Sequence, residues 1–250
     1  MGLEYAHEQK HRRCSSRIRY RSFTVTAPPL KPTLDLTPAE RPRRTTLTGR
    51  LVTLMPLDPA AHGDALYGGS CGPEHAGLWT YMSDGPYHDR ARFDANLEVK
   101  AKSTDPLFFA IVDNASGLAA GCASYLRIEP VHKVIEVGHI LFTPVLQRTA
   151  GATEAMYLLA RHVFEDLGYR RYEWKCNALN APSRSAALRL GFRFEGIFRQ
   201  HMIIKGENRD TAWFAMLDWE WPARKLAFER WLDPSNFDSE GHQRTPLARA

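Results

Sequence analysis

From Gly49 to Leu57 apolar and polar positions alternate with the period of a strand. Asp58 and Pro59 then supply an N-cap and a first helical residue, and predict a helix to about Tyr67. The stretch from Gly68 to Pro86 is crowded with Gly, Pro and aromatic residues and reads as loop. A second helix is expected from Asp89 to Lys102 and a strand over Leu107–Val112, followed by hairpin chemistry at Asp113-Asn114-Ala115-Ser116-Gly117. Leu118–Glu129 and Lys133–Phe142 form an antiparallel pair that Thr143-Pro144 ends. A longer helix begins at Thr149 or its neighbours. Its apolar positions Met156, Leu159, Val163, Phe164 and Leu167 keep helical spacing until Gly168 stops it. Tyr172–Asn177 is a strand, Pro182–Leu190 a short helix closed by Gly191, and Phe194–Ile204 with Thr211–Leu217 a hairpin turning at Gly206. An amphipathic helix from about Pro222 to Leu232 comes last. Helices interleaved with mainly antiparallel strands predict a mixed α/β fold of the α+β type, a central sheet flanked by helices, rather than a doubly wound parallel sheet.

This pattern sets the expected boundaries: a disordered basic extension over 1–44, a folded domain over 45–232, and a polar tail over 233–250. Charge divides the same way. Residues 1–44 hold ten Lys and Arg against four Asp and Glu, so the net +5 of the 250-residue chain belongs to the extension and the remainder carries −1. Its HRRCSSRIRYR run suits a weak electrostatic contact with nucleic acid or a ribosomal surface. His7-Glu8-Gln9-Lys10-His11 fits the HExxH zinc signature, but polar flanks would leave that helix no face to bury, so no metal site is expected. No apolar run approaches the ~20 residues that cross a bilayer, which excludes membrane spanning. Four cysteines without CxxC spacing and no apolar leader point to a reduced, cytoplasmic setting. A monomer or homodimer is expected.

Chemistry concentrates between Phe142 and Glu154, where a strand ends in Pro and a helix opens on small residues. Gln147-Arg148-Thr149-Ala150-Gly151-Ala152 would present free backbone N–H groups at a helix N-terminus, a site for phosphate. The spacing fits equally a helix that uses Ala and Gly for close packing. Gln147-x-x-Ala150-x-Ala152-Thr153-Glu154-Ala155 resembles the acetyl-CoA motif of the GNAT N-acetyltransferases, and its continuation resembles the branch of the RimJ/RimL-type protein N-terminal acetyltransferases. Asn180-Ala181-Pro182-Ser183, Leu190-Gly191-Phe192, Glu195-Gly196, Glu136-Val137-Gly138 and the Gly206 to Asp210 spacing match that branch in order, across about Leu47 to Leu217.

The resemblance implies an acetyl-CoA-dependent N-acetyltransferase acting on a primary amine, either a protein N-terminus or a small molecule. It implies that the strands ending at Phe142 and Asn177 splay apart around pantetheine. The coenzyme would then touch Leu141, Phe142 and Thr143, the loop Gln147, Arg148, Thr149, Ala150, Gly151, Ala152 and Thr153, and Asn180 with Ser183. An amine attacks a thioester only as the free base, so a proton acceptor is needed; Glu136 is the candidate, with a paired strand carboxylate as its alternative reading. His139, three residues on, is expected on the opposite strand face as a packed histidine. Ser183 would protonate the departing thiolate or hold a water that does, or else simply cap its helix. Trp79, Tyr81 and Tyr87 could line an acceptor slot or belong to the core. Two departures stand out: Ala150 replaces the first motif glycine, and no tyrosine lies between Pro182 and Leu190 to protonate the thiolate. The first leaves open a GNAT-like protein that binds acyl-CoA or a partner without turnover.

Overall fold

The computed structural model describes residues 35–247, so the basic run and the HEQKH motif lie outside the described residues. Among the described residues eight strands form one sheet: β1 (Leu47–Thr48), β2 (Val52–Pro56), β3 (Leu107–Asp113), β4 (Ala119–Glu129), β5 (Val134–Phe142), β6 (Arg171–Asn177), β7 (Arg193–Ile204) and β8 (Glu207–Leu217). Their order is β1-β2-β3-β4-β5-β6-β8-β7. Every pairing is antiparallel except β5 with β6.

The helices cover both faces, because strand alternation sends apolar side chains to both. On one side α3 (Ala150–Arg161) and α5 (Trp221–Leu232) close over Phe109, Tyr125, Ile135, Val137, Tyr172, Trp174 and Phe214. On the other, α1 (Pro59–Ser70) and α2 (Arg90–Lys102) enclose a smaller core of Leu66, Trp79, Phe93, Leu97, Phe108, Cys122 and Leu141. The short α4 (Ala181–Arg189) follows β6. Asp58 and Asp89 cap α1 and α2, accepting from the backbone N–H groups of Ala60 and Ala91 at 2.9 and 2.8 Å. The first of these caps was legible in Asp58-Pro59.

Several boundaries differ from the sequence pattern. A 3-10 helix (Pro73–Trp79) occupies the stretch read as loop, and Trp79 anchors it by donating Nε1–H to the Ser70 carbonyl at 2.6 Å. The long helix is two pieces: after Arg161 the backbone widens into a π-type turn over His162–Asp166, ending at Gly168 with φ +69°. β8 starts at Glu207, four residues before the expected Thr211, because the hairpin turns tightly at Lys205-Gly206. Residues 39–44, expected as extension, are fastened to the domain. Ala39 N–H donates to the Pro130 carbonyl at 3.0 Å, Arg41 to the Ile128 carbonyl at 3.2 Å, and Arg44 to the Ala101 and Ser103 carbonyls. The segment after Asp233, expected as a polar tail, folds back as well. Leu247 and Asn236 are buried, Asn236 bonds the carbonyls of Trp231 and Thr245, and Trp231 Nε1–H reaches Gln243 at 2.7 Å.

Candidate active site

β5 and β6 run in register only from Val134↔Arg171 to Val137↔Trp174. Beyond that the strands part, and Gly138–Phe142 faces Lys175–Asn177 across the mouth of a cleft of about 2170 Å³ that both stretches line. The size exceeds the ~300–1,000 Å³ of an ordinary small-molecule pocket and suits two substrates meeting end to end.

A β-bulge starts the parting. The β4–β5 register shifts between Cys122 and Ser124, where Ala123 faces an extra residue on β5, and His139 takes φ +48°. The extra residue reverses the alternation of side chains downstream. Ile135 and Val137 point into the larger core, whereas Leu141 points into the smaller one. His139 therefore does not oppose Glu136 as strand period predicts. Its Nδ1 lies 3.0 Å from Ser124 Oγ and its ring 5.2 Å from Phe108, on the α1/α2 side, which is also the side of Glu136. Burial, joined by the positive charges of Lys100, Lys175 and Arg209, lowers its pKa and keeps the imidazole neutral. A period-2 argument cannot see a bulge, and so His139 was missed as a cleft residue.

Glu136 is 3% exposed and lies in the cleft wall. Lys175 Nζ stands 3.0 Å away and Arg127 Nε 3.4 Å, yet Oε2 receives no well-aligned hydrogen bond from either. Burial pushes the carboxyl up to about 7, against the opposing pull of Lys175 and Arg127 and with a smaller push from Glu173. Lys175 and Arg127 also each approach the Trp213 ring, at 4.8 and 5.0 Å from its centroid.

At the other end of the cleft Thr149 caps α3, its Oγ1 accepting from Ala152 N–H at 3.2 Å and donating to the Leu146 carbonyl at 2.7 Å. The left-handed residue of this loop is Arg148, with φ +61°, while Ala150 is the first residue of α3. Left-handed backbone is thus not demanded at the position where glycine was missing. Gly151 serves packing: a Cβ there would lie 3.0 Å from Val52 Cγ1 and 3.4 Å from Leu146 Cδ1. Ala152 and Thr153 are buried, so these residues can meet a ligand chiefly through main chain. Leu141 and Thr143 are likewise buried, with Thr143 Oγ1 donating to the Ala120 carbonyl at 2.6 Å. Phe142 packs against the larger core, and its carbonyl accepts from Gln147 Nε2–H at 3.0 Å.

Sequence reasoning missed the cations around this helix end. Arg189 donates from Nη1 to Thr153 Oγ1 at 3.0 Å and lies 4.7 Å over the Trp231 ring; Arg50 donates to the Leu232 carbonyl at 2.9 Å. Both line the cleft with Arg148. An N-terminal helix dipole ringed by three guanidinium groups is a seat for a multiply charged anion.

Asn180 caps α4, Oδ1 accepting from Ser183 N–H at 3.1 Å, and Ser183 Oγ accepts from Trp174 Nε1–H at 3.0 Å. Both lie in the cleft wall between its ends. Of the three aromatics expected in an acceptor slot only Tyr81 lines the cleft, held by its hydroxyl donating to the Leu179 carbonyl at 3.2 Å. Trp79 and Tyr87 pack edge to face at 5.1 Å in the smaller core, where Tyr87 also donates to Asp84 at 3.0 Å. Their apolar bulk found an interior better than an open wall. Among the described residues no cluster of His, Cys, Asp and Glu could hold a metal ion, and no helix is long and apolar enough to cross a membrane.

With this geometry in place, comparisons with known proteins converge. Residues 52–193 match the acetyltransferase (GNAT) domain family. A crystal structure of a GCN5-related N-acetyltransferase from Brucella melitensis is 51% identical, superposes with a TM-score of 0.83, and the match covers 84% of this chain and 96% of that one. A GNAT-family structure from Chromobacterium violaceum ATCC 12472 is 38% identical at a TM-score of 0.69, over 78% of this chain and all (100%) of its own. The chain is also 31% identical over 97 residues to the ribosomal-protein-serine acetyltransferase of Escherichia coli (strain K12), 39% of this chain and 54% of that protein. The chain thus spans about half the length of the curated relatives it matches, 54% and 50%.

Proposed function

The chain belongs to the GNAT acetyltransferase family, and on that premise we propose that it moves the acetyl group of acetyl-CoA onto a primary amine. One observation carries this reading: a buried carboxyl with its pKa near 7, Glu136, shares a cleft with a cation-ringed helix N-terminus. The first is what an amine nucleophile needs; the second is what a coenzyme diphosphate needs.

The thioester supplies an activated acyl carbon, and the protein residues do the rest. The free N–H groups of the first turn of α3, with Arg148, Arg189 and Arg50, hold the diphosphate end. Gly138–Phe142 and Lys175–Asn177, released from each other, leave room for an extended arm to lie between them as a further strand would. Glu136, directly or through a water, accepts the proton of the attacking nitrogen. Lys175 and Arg127 beside it raise the local positive potential and so favour the uncharged amine over the ammonium ion. A backbone N–H at the bulged end of β5 steadies the developing oxyanion. Ser183, or a water on its hydroxyl, returns a proton to sulfur as the carbon–sulfur bond breaks and the carbon–nitrogen bond remains. Asn180 orients the arm through its amide.

The acceptor is a peptide N-terminus or a small-molecule amine, and the likeness to a ribosomal-protein-serine acetyltransferase makes peptides the first class to try. The alternative, coenzyme binding without turnover, rested on steric crowding and left-handed strain at Ala150. The helical backbone there takes away the strain argument. Calorimetry with acetyl-CoA followed by a thiol-release assay over an amine panel tests the proposal. Saturable binding and amine-dependent thiol release are expected; tight binding with no release from any amine would sink it.

A further inference from the structure

Arg209 on β8 lines the same cleft, with Met202 and Ile204 of the neighbouring strand. The cations around it are committed. Lys175 pairs with Glu136; Arg127 stands between Glu136 at 3.4 Å and Glu173 at 3.7 Å; Arg171 holds Glu173 at 2.6 Å and Glu195 at 2.5 Å. Three carboxylates, Glu136, Glu173 and Glu195, thus serve three cations. Arg209 is surplus. Among the described residues it has no ion pair within 4.0 Å, and its Nε is shut away from solvent without a hydrogen-bond partner. Glu136 acts on it only at longer range, and burial works against its charge. A guanidinium held in a cleft wall with an unanswered donor loses hydration that nothing in the fold returns.

We propose that Arg209 is the seat for a carboxylate carried by the acceptor, so that the preferred substrate is an amine bearing a nearby carboxylate rather than a neutral or polycationic amine. The inference rests on the acetyl-transfer reading of the cleft. Its geometry explains the division of labour: Glu136 meets the nitrogen end of a zwitterion, while Arg209 takes the anionic end in the two-pronged way that a fork of N–H donors allows. Met202 and Ile204 flank the cation with apolar surface, which strengthens the pairing by excluding water. His139 and His201, both shifted toward the neutral form by burial and by Lys175 and Arg209, add no further positive charge beside the guanidinium.

The experiment compares thiol release from free amino acids and from peptides beginning with aspartate or glutamate against the same compounds with each carboxylate converted to amide. Wild-type kcat/KM should favour the carboxylate form by about tenfold or more, the usual return of a charge-assisted pair. Free amino acids favoured over acidic peptides place the group on the acceptor's own α-carbon; the reverse places it on a side chain. Arg209→Gln should collapse the preference to below about threefold, Arg209→Lys should keep part of it, and both should bind acetyl-CoA within about threefold of wild type. Binding of the N-acetylated products, free acid against amide, gives the same preference without turnover and reports on folded protein. Thiol release with no preference for carboxylates overturns the inference and leaves acetyl transfer standing. A tenfold loss of acetyl-CoA affinity in Arg209→Gln with the acceptor preference intact assigns the guanidinium to the coenzyme and overturns it too. No release from any amine overturns both.

Discussion

Glu136 is the residue to which we assign the role of base, and its environment fixes the sign of the pH dependence that the assignment predicts. A carboxyl raised by burial to about 7 is protonated below that value and cannot accept a proton. Activity, measured as kcat/KM, should therefore rise as pH climbs through about 7. Glu136→Gln should remove that limb and lower the rate by about 10²-fold or more, with acetyl-CoA affinity nearly unchanged. His139 provides the control. Its imidazole is already neutral, so His139→Gln should leave the limb where it is; a limb that vanishes with His139 instead would transfer the role of base. Glu136 stood out in the sequence only through the family likeness of Glu136-Val137-Gly138, and its burial and raised pKa had no local signal. The cations that hold it, Lys175 and Arg127, come from two other strands and no local pattern joins them.

At the scale of elements, α3 is pinned as well as capped. Glu154, in the run that resembles a family motif, is 6% exposed and accepts three backbone hydrogen bonds from the β1–β2 turn: Arg50 at 3.1 Å, Leu51 at 2.6 Å and Val52 at 2.9 Å. Glu154→Ala would leave those donors unanswered and should destabilise the protein by about 3 kcal/mol or more, read from the urea midpoint. The start of α3 makes a contrasting case. Ala150→Gly should leave coenzyme affinity within about twofold, because the left-handed φ belongs to Arg148. Gly151→Val should instead push β2 away from the helix, costing about 1–3 kcal/mol, since even a Cβ meets Val52 at 3.0 Å. Helix and strand placement was readable here because apolar periodicity and caps are local signals. The bulge at His139 and the π-type turn after Arg161 were not, because neither changes composition; each is set by what the strand or helix packs against.

For the molecule as a whole, the sheet with its two helical layers followed from the alternation of elements, and the parting of β5 from β6 from a family likeness rather than from any pattern in those strands. The ends were harder to read. Residues 233–247 look polar, yet Asn236, Trp231, Gln243 and Leu247 interlock, and Phe237, His242 and Gln243 join the cleft wall near the start of α3. Removing everything after Leu232 should lower the melting temperature and weaken acetyl-CoA binding together; an unchanged affinity would mean that this wall is only scaffold. Trp213, whose ring both Arg127 and Lys175 approach, has a use beyond packing. An indole beside an ammonium and a guanidinium is an optical gauge of their positions, and both cations pair with the carboxyl that titrates near neutrality. Its fluorescence, isolated by subtracting the Trp213→Phe spectrum, should trace an inflection at about pH 7 that is lost in Glu136→Gln, reporting the ionisation of that carboxyl with no substrate in the cuvette.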